Sequence, residues 1–295
     1  QPLNAVFMRI IGFSISSLIL ILINQRYGQV LHMKRKYKGK YIQREIRIYH
    51  GDYLDVNIFP VFKKPGKRKK KTNPSSEIQK KLNQTYRENK VTYLINNNFS
   101  KKDLEMGLGF DDEHLPETYK DVQKVTRNYI RRIKHYISKN DLPELKYLYV
   151  IERGATNGRW HIHMILSGGI DRDLLESMWG QGYAHTYRLE FDDNGLKGLA
   201  KYKVKEPTTD VEVIDEKIHR WAASKNLKKP TIPKDRDGFI SKDTVRDIRK
   251  GDICEREIER LYPGYTITDI SPYLNTINAG EYLTISLRKT KNSRV

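Results

Sequence analysis

Cysteine is nearly absent: the 295-residue chain has one, Cys254. A single thiol can form neither an intrachain disulfide nor a thiolate zinc cluster, and the expected compartment is a reducing cytoplasm. Acidic residues are scarce beside basic ones, 36 Asp+Glu against 55 Lys+Arg, for a formal net charge of +19. That imbalance favours a polyanionic partner, with nucleic acid first and an anionic membrane surface second. Long apolar runs are lacking except at residues 10–23, IIGFSISSLILILI, preceded by Arg9. The run is short for a spanning helix and has the character of a signal-peptide core, but no small-residue cleavage site follows it. We read residues 1–32 as an apolar leader ahead of a native start at Met33. A membrane anchor is the other reading of the same run, and a membrane partner is not expected. Within these residues no Gly-x-x-x-x-Gly-Lys-Ser/Thr loop occurs to cradle a nucleotide.

What the chain does hold is clearest in Trp160-His161-Ile162-His163-Met164. Side chains alternate between the two faces of a strand. His161 and His163 therefore project together, and Trp160, Ile162 and Met164 can pack a core from the other side. Glu152 ends a strand, Lys146–Glu152, and the turn material Gly154–Gly158 leads to the next, Arg159–Leu166. Pairing of the two as a hairpin sets the Glu152 carboxylate beside the imidazoles. Two histidines and one carboxylate can bind a divalent cation, Mg²⁺ or Mn²⁺, and leave positions open for substrate. Such an ion offsets charge developing on a scissile phosphate. For either histidine alone a structural role is the commoner one; the trio in a basic chain points to metal.

The 19 tyrosines can serve packing, binding or nucleophilic chemistry. Tyr202, in Lys201-Tyr202-Lys203-Val204-Lys205, stands out by position, one strand and one helix after the histidines. Lys205 shares its helical face and favours a phenolate. Tyr183 and Tyr187 are the other nucleophile candidates.

Along the chain, Arg44–Tyr49 and Tyr53–Phe62 read as a hairpin around His50-Gly51-Asp52. A basic linker follows, Lys63 to Lys71. Ser75 or Ser76 can cap a helix running to about Asn96. Glu105–Phe110 is a possible strand. Pro116 opens a helix to about Ser138, whose Val122, Val125, Tyr129 and Ile133 recur at helical spacing. Lys124, Arg127 and Arg131 form a basic stripe on another face of that helix, able to grip a nucleic-acid backbone. Asp171 caps a short helix to Trp179, Ala184–Phe191 is a strand, and Leu196–Glu206 is a helix stopped by Pro207. A charged helix at about 242–250 and two or three strands between Tyr265 and Leu287 complete the chain. Helices bunch between hairpin-like strand pairs. The expected fold is therefore α+β, a central antiparallel sheet flanked by helices with N- and C-terminal appendages. The expected divisions are 33–74, a hairpin and basic linker; 75–230, the main domain; and 231–295, a helix and strands.

Glu152, then Trp160-His161-Ile162-His163, then Tyr202-Lys203-Val204-Lys205 resemble, in that order, the second and third motifs of the HUH endonucleases. The likeness is to rolling-circle replication initiators (Rep proteins) of Gram-positive plasmid and phage type. Asn98–Phe110 resembles that group's first motif, with Gly107 and Gly109 where it usually has threonine. Arg220–Leu227 is similar to its stretch after the catalytic domain. The resemblance covers roughly residues 75–230. It implies a ferredoxin-like palm and a divalent ion held by His161, His163 and Glu152. It further implies attack by Tyr202 on single-stranded or hairpin origin DNA, giving a 5′-phosphotyrosyl bond and a free 3′-OH. Lys205 would orient the tyrosine or the phosphate, Glu206 would activate water at termination, and Lys201 would add a DNA contact. Host helicase and DNA polymerase are the implied partners. A tyrosine that follows the histidines also fits a single-tyrosine transposase. A non-catalytic origin-binding repressor is the alternative from another class.

Overall fold

The antiparallel pairing expected around the histidines is present in the computed structural model. It describes residues 41–62, 77–154, 158–204, 221–275 and 280–290, the side chains of 77–82 and 202–204 excepted. The leader at 1–32, the lysine-rich linker and the Ser75/Ser76 cap lie outside the described residues. The fold is α+β, with two antiparallel five-stranded sheets and, among the described residues, six helices.

The first sheet has the order β8-β1-β2-β10-β9. Its hairpin is β1 (Ile42–His50) and β2 (Tyr53–Val61). The turn needs Gly51, whose φ is +67°, and a Cβ there would fall 2.3 Å from the Asn96 carbonyl oxygen. The remaining strands come from the far end of the chain: β8 (Arg236–Asp237), β9 (Tyr265–Asn275) and β10 (Gly280–Lys289). The 33–74 hairpin and the 231–295 strands thus share one set of ladder hydrogen bonds. Leu54, Val56, Ile58, Leu283, Ile285 and Leu287 bury one face against Val245, Ile248 and Ile258. Those last residues lie on two short helices, Lys242–Lys250 and Glu255–Glu259. Glu45, 1% exposed, is held there by Arg236 and by the Tyr262 hydroxyl, which donates to it at 2.7 Å.

The second sheet, β6-β3-β5-β4-β7, lies between these two halves in sequence. It comprises β3 (Leu104–Gly109), β4 (Tyr147–Arg153), β5 (Trp160–Leu166), β6 (Ala184–Arg188) and β7 (Trp221–Ala223). Alternation in β3 and β5 sorts Leu104, Met106, Leu108, Ile162 and Met164 onto one face. They pack against Val122, Tyr129, Ile133 and Ile137 of α2 (Tyr119–Lys139). Expected from Pro116, this helix starts three residues later. The Thr118 hydroxyl accepts from the Asp121 amide and the Asp121 carboxylate accepts from the Thr118 amide, so the capping box sets the boundary. The Tyr129 hydroxyl donates to the Leu175 carbonyl at 2.8 Å. The Tyr129 and Trp179 rings stand nearly perpendicular, their centroids 5.3 Å apart, and Trp179 Nε1 donates to the Gly109 carbonyl at 2.7 Å. Asp171 caps α3 (Arg172–Ser177) as expected, accepting from the Leu174 amide. Strand β6 runs to Arg188 rather than Phe191, and the Leu189 amide makes one more bond in the same register, to the Asp103 carbonyl.

On the opposite face, Leu148, Val150 and Ile165 are covered by α1 (Glu77–Asn98) and α4 (Lys197–Val204) through Val91, Ile95, Leu196 and Ala200. Helix α1 also joins the two sheets. Asn96 accepts from the Leu196 amide at 2.8 Å and faces His50 Nδ1 at 3.4 Å, and the Gly51 amide donates to Asn97. No helix among the described residues is long and apolar enough to cross a membrane.

Candidate functional site

Strand β5 presents Trp160, Ile162 and Met164 to the α2 core, at 6%, 0% and 1% exposure, so His161 and His163 occupy the other face. In the β4–β5 register Glu152 stands opposite His161, and Val150 opposite His163. Residues directly opposed in an antiparallel pair share a face. Glu152, His161 and His163 therefore project to one side, the face that α1 and α4 cover in part, with His163 at the border of the covered patch. Glu152 Oε2 lies 3.5 Å from His163 Nε2, with both side chains partly exposed. Burial, followed by the neighbouring His163, holds His161 below the usual imidazole range, against the opposing pull of Glu152. A neutral imidazole keeps a lone pair for a cation.

The floor beside this row is bare. Across β3–β5, Gly107 faces His163 and Gly109 faces His161. A Cβ on Gly107 would meet nothing within 4 Å among the described residues. One on Gly109 would touch the Tyr183 ring at 3.7 Å and His161 Nδ1 at 4.0 Å. On the far side of β3, His185 of β6 pairs with Gly107. Sequence reading missed His185, since it has no motif of its own and only the register brings it to this face.

The donor types suit a hard or borderline divalent ion: two imidazole nitrogens and one carboxylate, with open space above. Among the described residues no three His, Cys, Asp or Glu side chains are already drawn together as a metal cage. The Glu152–His163 contact is the part of the trio that is assembled.

Helix α4 passes close to the row, since Ala200 and His163 line the same small void with Val91 and Ile95. Tyr202 belongs to the backbone of this helix, but its side chain lies outside the described residues, as do Lys205 and Glu206 altogether. Lys201 is exposed. The basic stripe of α2 is not brought to the histidines. Val122, Ile130 and Ile133 turn inward onto the opposite face of the sheet, so Lys124, Arg127 and Arg131 point to solvent behind it. A helix that packs by one stripe must send its polar stripe away from the sheet, and here that is away from the site.

Comparison with curated proteins and with solved structures gives no match. Residues 103–207, the stretch that holds Glu152, His161, His163 and Tyr202, match the model of the family Replication-associated protein ORF2/G2P.

Proposed function

We propose that this chain is a replication initiator that nicks single-stranded origin DNA through a tyrosine nucleophile. One observation carries the reading. Glu152 is in register with His161 and 3.5 Å from His163 on an open sheet face, inside the stretch that matches replication-associated proteins. Glu152, His161 and His163 would hold Mg²⁺ or Mn²⁺, which supplies charge stabilisation at the phosphate when bound. Tyr202 gives up its hydroxyl proton and its oxygen attacks phosphorus in line, forming the 5′-phosphotyrosyl bond. The bond to the 3′-oxygen breaks, and that oxygen takes a proton to leave as a 3′-OH. Lys205 holds a phosphate oxygen or the phenol, and Lys201 adds a backbone contact. A host polymerase extends the 3′ end, and a host helicase opens the duplex in the cytoplasm.

The test is a covalent adduct. Single-stranded origin oligonucleotides with Mn²⁺ should yield a denaturation-resistant protein–DNA band that Tyr202→Phe and EDTA each abolish. Binding without any adduct, unaffected by EDTA, overturns the nickase reading and leaves an origin-binding protein.

A further inference from the structure

We infer that edge strand β6 is a stacking platform for the unpaired bases of single-stranded DNA, built from Tyr183 and Tyr187 with His185 between them. The inference rests on reading the neighbouring Glu152–His161–His163 row as a site for single-stranded DNA.

Residues 183, 185 and 187 alternate onto one face of the β6 segment. The register across β3 makes it the face of the histidine row: Tyr187 pairs with Glu105, His185 with Gly107, and the Gly109 amide donates to the Tyr183 carbonyl at 2.8 Å. Tyr183 is 67% exposed and Tyr187 62%. Large rings usually bury most of their area, so two left in water on one short strand need a use. The strand itself is firmly held. The Thr186 side chain is buried. Its amide donates to Glu176 Oε1 at 2.7 Å, and its carbonyl accepts from Arg172. Those bonds occupy the outer edge of β6 and block addition of a further strand by a protein partner. The rings are therefore approached face-on.

The groove between platform and site has the right form. Strands β5 and β6 are two inter-strand steps apart, about 10 Å, and the residues between them on this face are Gly107 and Gly109. A sugar–phosphate chain can lie on that glycine floor with its bases turned toward the tyrosines. Tyr183 and Tyr187 are about 13 Å apart along the strand, and His185 stands midway between them, so bases of one strand can meet the three rings in turn. Charge and chemistry favour single-stranded DNA as the occupant: the chain carries +19, and every base offers a π-face, so stacking tolerates sequence. Glu105, beside Tyr187, bounds the groove at its far end against phosphate.

Fluorescence anisotropy with EDTA present separates binding from cleavage. The probes are an oligothymidylate of about 12 nucleotides, the scale of one single-strand site, and an abasic strand of equal length and charge. The wild-type protein should prefer the thymidylate by roughly tenfold or more. Tyr183→Ala/Tyr187→Ala should remove that preference, and Tyr183→Phe/Tyr187→Phe should keep it. Both pairs change exposed positions, and circular dichroism checks the fold. Equal binding of the two probes by the wild type, or a preference that survives in the alanine pair, overturns the platform. The adduct assay reads the nickase separately. A preference lost in the alanine pair without any wild-type adduct supports the platform and sinks the nickase. An adduct with no preference sinks only the platform.

Discussion

Glu152 faces His161 in register yet sets its carboxylate against His163, 3.5 Å away on the diagonal. One carboxylate therefore serves both imidazoles, one as its cross-strand neighbour and the other as its contact. Glu152→Gln keeps the shape and removes the charge. Metal-dependent adduct formation should fall by roughly 10–100-fold, while single-strand affinity in EDTA holds or rises slightly. An unchanged rate at limiting Mn²⁺ would remove Glu152 from the ligand set.

The position of the α2 stripe gives a prediction about DNA contacts. Lys124→Ala/Arg127→Ala/Arg131→Ala should leave nicking of short single strands within about twofold, because those groups lie behind the sheet. Lys201→Ala, on the helix beside the row, should weaken binding and reduce the log–log salt slope by about one. The reverse ranking would show that DNA runs along the back of the sheet.

At the joint between the sheets, Asp55 is nearly buried. Burial raises its pKa, but the facing His50, 3.8 Å away, and Lys197 outweigh that and bring it below the usual carboxylate range. With the folded value below the unfolded one, Asp55 contributes its stability above about pH 4 and loses it as pH falls through the folded-state value. Asp55→Asn should cost about 1–3 kcal/mol at pH 7 and much less in strong acid. Urea unfolding from pH 7 down to pH 3 measures the difference, and a constant penalty would contradict the linkage.

Tyr129→Phe deletes one oxygen and leaves the buried Leu175 carbonyl without the donor seen at 2.8 Å. The expected destabilisation is about 1–3 kcal/mol. The adduct should form normally at low temperature, because Tyr129 lies on the α2 side of the sheet.

Local patterns were readable where one residue's period decides its face. The alternation in Trp160–Leu166 set the histidines apart from the core, and the spacing of Val122, Tyr129 and Ile133 gave α2. Pairings over long sequence distance were not readable. Nothing local to Arg236 or Leu283 marks them as partners of the N-terminal hairpin, since ladder hydrogen bonds use backbone that every residue shares. The short elements β7, β8 and Glu255–Glu259 are held by tertiary contacts rather than by propensity. The same limit hid His185, and which side of the sheet the α2 stripe takes follows from the packing of its helix rather than from its spacing.

The first sheet closes only when strands from both ends of the chain meet around the one that carries the histidines. During synthesis the β1–β2 hairpin leaves the ribosome before β8, β9 and β10 and waits, both of its edges bare, until they follow. The inner sheet, whose described strands all fall between residues 104 and 223, can assemble during that interval. A nascent chain that has emerged from the ribosome as far as residue 223 would thus display the histidine row on a formed sheet while the outer one still lacked three of its five members.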